Sequence, residues 1–341
     1  MFPAGDETDE KTLDRKGDGL MDQNVKKRLI LAAVLIVLGL VAIGWVMESS
    51  GWEMAKLNTV EYETVSYPVE DAFRHITVET ETADVRLLPS ADGTCKVVCF
   101  KDRNVQYTVS VDEGKLSIRS EDQRKWHEKI GVMTEKPSVA VYMPAGVYGD
   151  LFVQSSTGHV EIPGDFSFDA MEITTSTGDV QNNASAAGEM HIRTSTGDIK
   201  AEHVSAAAME LTVSTGKIDV LDVTCIGNVS VYVSTGRATL TDVVCRNLLS
   251  VGGTGSMVLN HVAAEETFSL ERSTGRVTFE NCDAGEIYVT TSTGDVQGSL
   301  LSGKQFVTRT DTGSVQVPDS TFGGRCEIVT DTGDIRISIA D

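Results

Sequence analysis

Basic residues are in short supply in this chain of 341 residues. Lysine and arginine number 29 against 50 aspartates and glutamates, a formal net charge of -21. Binding to a phosphate backbone needs clustered cations, so nucleic acid is excluded as a partner. Proline (7) and aromatic residues (6%) are also few, which suits a β protein with a repetitive core. No Cys-x-x-Cys pair occurs, and the six histidines (His75, His127, His159, His191, His203 and His261) have no metal-ligand spacing. Gly-x-Ser-x-Gly, the Walker loop and the dinucleotide fingerprint are missing. No acidic cluster spans several repeats on one face. The expectation is a protein with no enzymatic activity, no catalytic residues, no metal and no cofactor.

Long apolar runs are missing too, with one exception. Leu29 to Met47, "LILAAVLIVLGLVAIGWVM", carries no charge. As a helix it would be about 28 Å long, close to the ~30 Å hydrocarbon core of a bilayer. Lys26, Lys27 and Arg28 precede it and Glu48 follows. The positive-inside rule then keeps the N-terminus in the cytoplasm and exports the rest. The following "ESSGWEMAK" is a poor cleavage site, so the segment reads as an uncleaved anchor rather than a signal peptide. Residues 1–28 form a short disordered cytoplasmic tail on this reading. Residues 29–47 form the transmembrane helix and 48–59 a linker. The membrane is thus the first expected partner, and the location is a single-pass cell membrane protein.

The exported part is repetitive. A Thr-Gly pair recurs with its glycine at Gly158, Gly178, Gly197, Gly216, Gly236, Gly255, Gly275, Gly294, Gly313 and Gly333. Each step is 19 or 20 residues, the period of a stacked repeat. Seven and five residues before each glycine lie apolar columns, such as Met209 and Leu211 before Gly216. Two after it lie Val160, Val180, Ile199, Ile218, Ala238, Met257, Val277, Val296, Val315 and Ile335. A spacing of two on both sides is the β period with one face buried. The glycine marks a turn that needs a backbone closed to other residues. Each repeat therefore predicts strand, Thr-Gly turn, strand, second turn. A single coil buries too little to offset the entropy of ordering it, so the coils must stack. The fold class is all-β, a parallel β-solenoid (β-helix) of 19–20 residues per coil over 151–341.

The repeat extends back irregularly over 60–150. "ITVETETADVRLL" puts Ile76, Val78, Thr82, Val85 and Leu87 in the same slots, with Ala83 in place of glycine. "YTVSVDEGKLSI" suggests another coil around Gly114. The inserts between them include "SEDQRKWHEKIGVMTEKP" around Trp126. This part reads as a cap of irregular coils, or as a small separate β domain.

The most regular column is the threonine before each glycine: Thr157, Thr177, Thr196, Thr215, Thr235, Thr254, Thr274, Thr293, Thr312 and Thr332. Strand parity puts it on the buried side, which predicts hydroxyls turned inward and bonded coil to coil, not an ice-binding or ligand-binding face. The residue after the glycine alternates in character: Asp179, Asp198, Asp295 and Asp334, but His159, Lys217, Arg237, Ser256, Arg276 and Ser314 elsewhere. Opposite signs on neighbouring coils, as in Asp198 with Lys217 and Arg276 with Asp295, read as a charge ladder on an exposed edge. Cys225 and Cys245 both lie nine after a repeat glycine, in a column of small residues, where they pack or form a disulfide in an oxidising space.

The repeated "STGDV" and "STGDI", the stretch "GWEMAKLNTVEYET" after the apolar run, and "ETADVRLLPS" resemble a bacterial family over residues 50–341. This is a β-strand-repeat domain of unknown function labelled "putative adhesin". The resemblance implies a membrane-anchored, non-enzymatic surface binding or adhesion module. Some members accompany envelope-stress systems, which implies an accessory signalling role as the alternative. The implied partner is then a surface ligand or an envelope-stress membrane protein. The family has no established site residues to carry over. This chain departs from the cadence at Lys217, Arg237, Ser256 and Arg276.

Overall fold

The alternation of buried and exposed residues along the strands sets the architecture of the computed structural model. It describes residues 61–122 and 135–340, with 31, 32, 34–41, 44, 45 and 48 nearer the N-terminus. The chain falls into two units, Met1–Thr59 and Val60–Asp341. In the first, the described residues are helical and exposed. No helix among the described residues is long and apolar enough to cross a membrane. The spanning helix expected over 29–47 is therefore not found, and several of its residues lie outside those described. The tail 1–28, the linker 48–59 apart from Glu48, and the insert around Trp126 also lie outside them.

The second unit is the expected parallel β-solenoid. Strand Leu151–Thr157 pairs in parallel with Met171–Thr177, that with Glu189–Thr196, and that with Ala208–Thr215, always one repeat ahead. Thr177 lies beside Thr157 on one side and Thr196 on the other, so the repeats stack in exact register. A coil has three faces where the sequence predicted two strands. In the coil of Gly216 the inward side chains are Met209, Leu211 and Val213 on the first face. Ile218 and Val220 follow on the second, and Val223 and Cys225 on the third. The third face escapes a period-two reading because the inward positions shift by one between Val220 and Val223, across the left-handed Asp222.

A left-handed residue separates the second face from the third. His203, Asp222, Asp242, His261 and Asn281 each lie six after a repeat glycine, with φ of 57°, 52°, 53°, 52° and 52°. Asp and Asn tolerate this region better than branched side chains do. Two imidazoles that look scattered in the sequence thus fall in one column. His203 Nδ1 sits 2.9 Å from Asp222 Oδ2, and His261 Nδ1 3.4 Å from Asp242 Oδ1.

Both ends of the stack depart from chain order. At the first end, His75–Thr82 lies between Lys115–Asp122 and Leu151–Thr157. Ala83 takes the glycine slot as expected, with its carbonyl against Gly158. The expected coil around Gly114 is instead an antiparallel hairpin, Val105–Asp112 with Lys115–Asp122, turning at Glu113 and Gly114 (φ 48° and 76°). Two adjacent positive-φ residues make a tight hairpin turn, which sequence periodicity does not distinguish from a solenoid corner. Tyr62–Val69 runs antiparallel to Cys95–Asp102, which runs antiparallel to Ser138–Met143. At the far end, strand Arg325–Thr332 inserts between residues 287–293 and strand Gln305–Thr312. The last coil in space is therefore the one around Gly313, not the one around Gly333.

All six cysteines are free. Cys225 and Cys245 form no disulfide, and Cys225 Sγ contacts the carbonyls of Ala207 and Asn228 at 3.5 and 3.4 Å. Burial pushes the thiols of Cys99, Cys245 and Cys326 up to about 12. They stay protonated at neutral pH and pack as small hydrophobes.

Candidate functional site

The Thr-Gly corner is the most regular surface on the molecule. Its glycines have φ between 133° and 156° from Gly158 to Gly333. A Cβ on Gly216 would lie 2.0 Å from the carbonyl oxygen of Gly197. The backbone ladder nonetheless continues around the bend. Gly178 N donates to Thr196 O and Gly197 N to Thr215 O, at 2.9 and 3.0 Å. Glycine is required here because successive backbones stack where a side chain would stand.

The threonine before the glycine faces outward, not inward as parity predicted. Alternation breaks at the bend, so Ser214 and Thr215 are both exposed, as are Ser176 and Thr177. The inward hydroxyl column lies two residues earlier. Thr194 Oγ1 donates to Gly178 O at 3.0 Å, Thr330 Oγ1 to Gly294 O at 3.1 Å, and Thr310 Oγ1 to Gly333 O at 2.9 Å. The coil-to-coil bonds expected of the Thr before the glycine are made by this less regular one. The exposed threonines of the ten Thr-Gly pairs, joined by Thr82 at the first end, form one in-register row. Adjacent strands set their spacing at about 4.8 Å.

The residue after the glycine closes the corner. Asp179 Oδ1 accepts the backbone N–H of Asp198 at 2.8 Å, and Asp198 Oδ1 accepts that of Lys217 at 2.8 Å. Asp334 does the same for Ser314 at 2.7 Å, and Asp295 for Asp334 at 3.0 Å. At the first end Asp84 accepts from His159, and His159 Nδ1 accepts from Asp179 at 3.1 Å. The aspartate thus satisfies a backbone donor of the next coil. These bonds, with Arg336 nearby, hold the Asp334 carboxyl below its ordinary value; the largest contribution is the backbone bond from Ser314. The charge ladder is only partly ionic. Arg276 pairs with Asp295 at 3.2 Å, whereas Asp198 meets the backbone of Lys217. Among the described residues no group of three or more His, Cys, Asp or Glu is placed to hold a metal ion.

Replacing Asp198 with alanine should cost about 1 kcal/mol, the worth of one such bond. The Lys217 amide should then exchange faster with deuterium, while Asp198→Asn, which keeps an acceptor, restores its protection.

At the first end the corner opens into a groove of about 620 Å³. Thr82, Thr157, Thr177 and Thr196 line it, with His159 and Pro137 beside them. The threonines and His159 were legible as columns. Pro137 was not, because it follows an aperiodic insert.

A solved structure described as a "putative adhesin" from Bacteroides fragilis is 12% identical, covers 83% of this chain and 99% of its own, and has a TM-score of 0.38. A "putative lipid binding protein" from Parabacteroides distasonis is 13% identical, with 82% and 97% covered and a TM-score of 0.47. A "putative adhesin" from Parabacteroides merdae is 10% identical, with 82% and 98% covered and a TM-score of 0.44. No curated protein matches the chain. The profile of the Toastrack DUF4097 domain matches residues 73–230 and again 224–341. Two matches that together span the whole stack of coils leave one assignment: the chain belongs to the Toastrack DUF4097 family.

Proposed function

We propose that the chain is a non-enzymatic, membrane-anchored module displayed outside the cell, which binds a surface ligand along its Thr-Gly corner. The row of exposed threonine hydroxyls carries this reading. Hydroxyls repeating every ~4.8 Å suit an extended polar polymer, and a polysaccharide is the chemistry that matches. The groove at Thr157 and Thr177 supplies the concave end of that surface. The apolar run at 29–47, with Lys26, Lys27 and Arg28 before it, supplies the anchor and its orientation.

The test uses the full chain in nanodiscs on immobilised bacterial surface polysaccharides. Thr157→Val with Thr177→Val should weaken capture at least tenfold and leave the melting temperature nearly unchanged, because both side chains are exposed. Equal capture by the variant, or no capture by the native chain, contradicts the assignment. Protease added to intact cells should remove 60–341; survival of that region contradicts the topology.

A further inference from the structure

The two ends of the stack are finished differently. At the first end the antiparallel strands fold over the core, and Leu116, Ile118, Val139, Val141 and Met143 are fully buried. At the far end the coil of Gly313 has a neighbour on one side only. Its inward positions Phe306, Thr308 and Thr310 are only half-buried, and Val315 is 45% exposed. Outside the N-terminal helical residues, seven large apolar side chains are exposed among those described. Four of them, Leu301, Val307, Val315 and Phe322, belong to this end. Strand Gln305–Thr312 is an edge with one free row of backbone donors and acceptors, the arrangement that recruits another strand.

We propose that this edge pairs with the same edge of a second copy, joining two solenoids end to end about a two-fold axis. The strand's own charges select the partner and the register. In an antiparallel pair, opposite residues must face the same side. Centring the axis on Thr310 sets Arg309 opposite Asp311 of the second copy, and Asp311 opposite its Arg309. Centring it on Arg309 would set the two arginines against each other. Both Arg309 and Asp311 are exposed and pair with each other at 3.0 Å within the strand, so pairing of the two copies exchanges two pairs within chains for two between them; Phe306, Thr308 and Thr310 face the core. A two-fold contact is self-complementary and closes after two copies, so it does not propagate into a fibre. In this register Thr310 meets Thr310 of the second copy, and Thr308 lies opposite its Thr312.

Sedimentation of the full chain in detergent reads the assembly. The native chain should sediment at twice its 36.6 kDa mass. Asp311→Arg, which places like charges opposite one another, should weaken the dimer at least tenfold. The exchange Arg309→Asp with Asp311→Arg should restore it. Oxidative cross-linking checks the register: chains with Arg309→Cys should link to chains with Asp311→Cys, and each should link poorly to itself. A native chain that is monomeric, or larger than a dimer, overturns the proposal. So does a dimer indifferent to Asp311→Arg, which would locate the contact elsewhere, or self-linking as strong as the mixed reaction. An unchanged strand spectrum and melting temperature in Asp311→Arg separate loss of contact from loss of fold.

Discussion

Gly216→Ala should destabilise the solenoid by about 3–5 kcal/mol, a large part of the stability of an ordinary domain. Two costs add. Gly216 has φ +146°, which an L side chain rarely adopts, and such strain costs about 1–3 kcal/mol. Its new Cβ would also stand 2.0 Å from the carbonyl oxygen of Gly197. That oxygen is backbone in a paired coil and cannot rotate away. Overpacking of this kind costs a further 1–3 kcal/mol or so. Gly93 provides the control. It too has positive φ (+72°), but nothing lies within 4 Å of its would-be Cβ. Gly93→Ala should cost only about 1–2 kcal/mol. Urea unfolding of both variants checks the difference, and equal losses would mean that the corner is not stacked.

Gly252 and Arg272 should show the strongest coupling in the molecule. They occupy the same inward column, three before the glycine, where the two preceding coils have Val213 and Val233. Arg272 is 3% exposed and forms no ion pair among the described residues. Its Nη2 donates to Ser250 Oγ at 2.8 Å, while Nε has no partner. Burial pushes the guanidinium down to about 10, so it is still charged at neutral pH. The guanidinium fills the space left by the missing side chain of residue 252. A Cβ there would lie 1.5 Å from Nη1. Gly252→Val alone should therefore cost on the order of 3 kcal/mol, because the displaced cation has no exit from the core. Arg272→Val alone should change little: relief of a buried charge offsets the void opposite Gly252. The double variant continues the valine column and should be at least as stable as the native chain. The cycle then gives a coupling of roughly 2–3 kcal/mol. A sum of independent effects would show that the two side chains do not share one space.

Much of this was legible because the repeat is periodic. The buried columns at Met209, Leu211 and Ile218, and Ala83 in a glycine slot, all follow from period two and a step of 19 or 20 residues. What failed to read out lies where that rule stops. Alternation ends at the bend, so parity turned Thr215 inward when it points out. The order of the last coils is not carried by the period, since every coil presents the same backbone. It does leave a trace in composition. The inserted coil holds Cys326, Ile328 and Ile335 where the outer one holds Phe306, Thr308 and Val315. Thr308 is the polar residue in an otherwise apolar position, and the more apolar coil takes the covered place. Arg272 and Gly252 interrupt a column that holds Val213 and Val233 in the two preceding coils, and each explains the other.

Hydrogen exchange at the corner glycines tests the stack most directly. Each corner N–H donates to the next coil in space: Gly158 to Thr177, Gly275 to Thr293, Gly294 to Thr332 and Gly333 to Thr312. Only the coil of Gly313 has no coil beyond it. In a chain carrying Asp311→Arg, which keeps that end open, the amides of Gly158 through Gly294 and of Gly333 should exchange slowly, and that of Gly313 rapidly. Fast exchange at every corner would make the Thr-Gly segments free loops and contradict the stacked corner. Slow exchange at Gly313 with fast exchange at Gly333 would restore simple chain order and contradict the inserted coil.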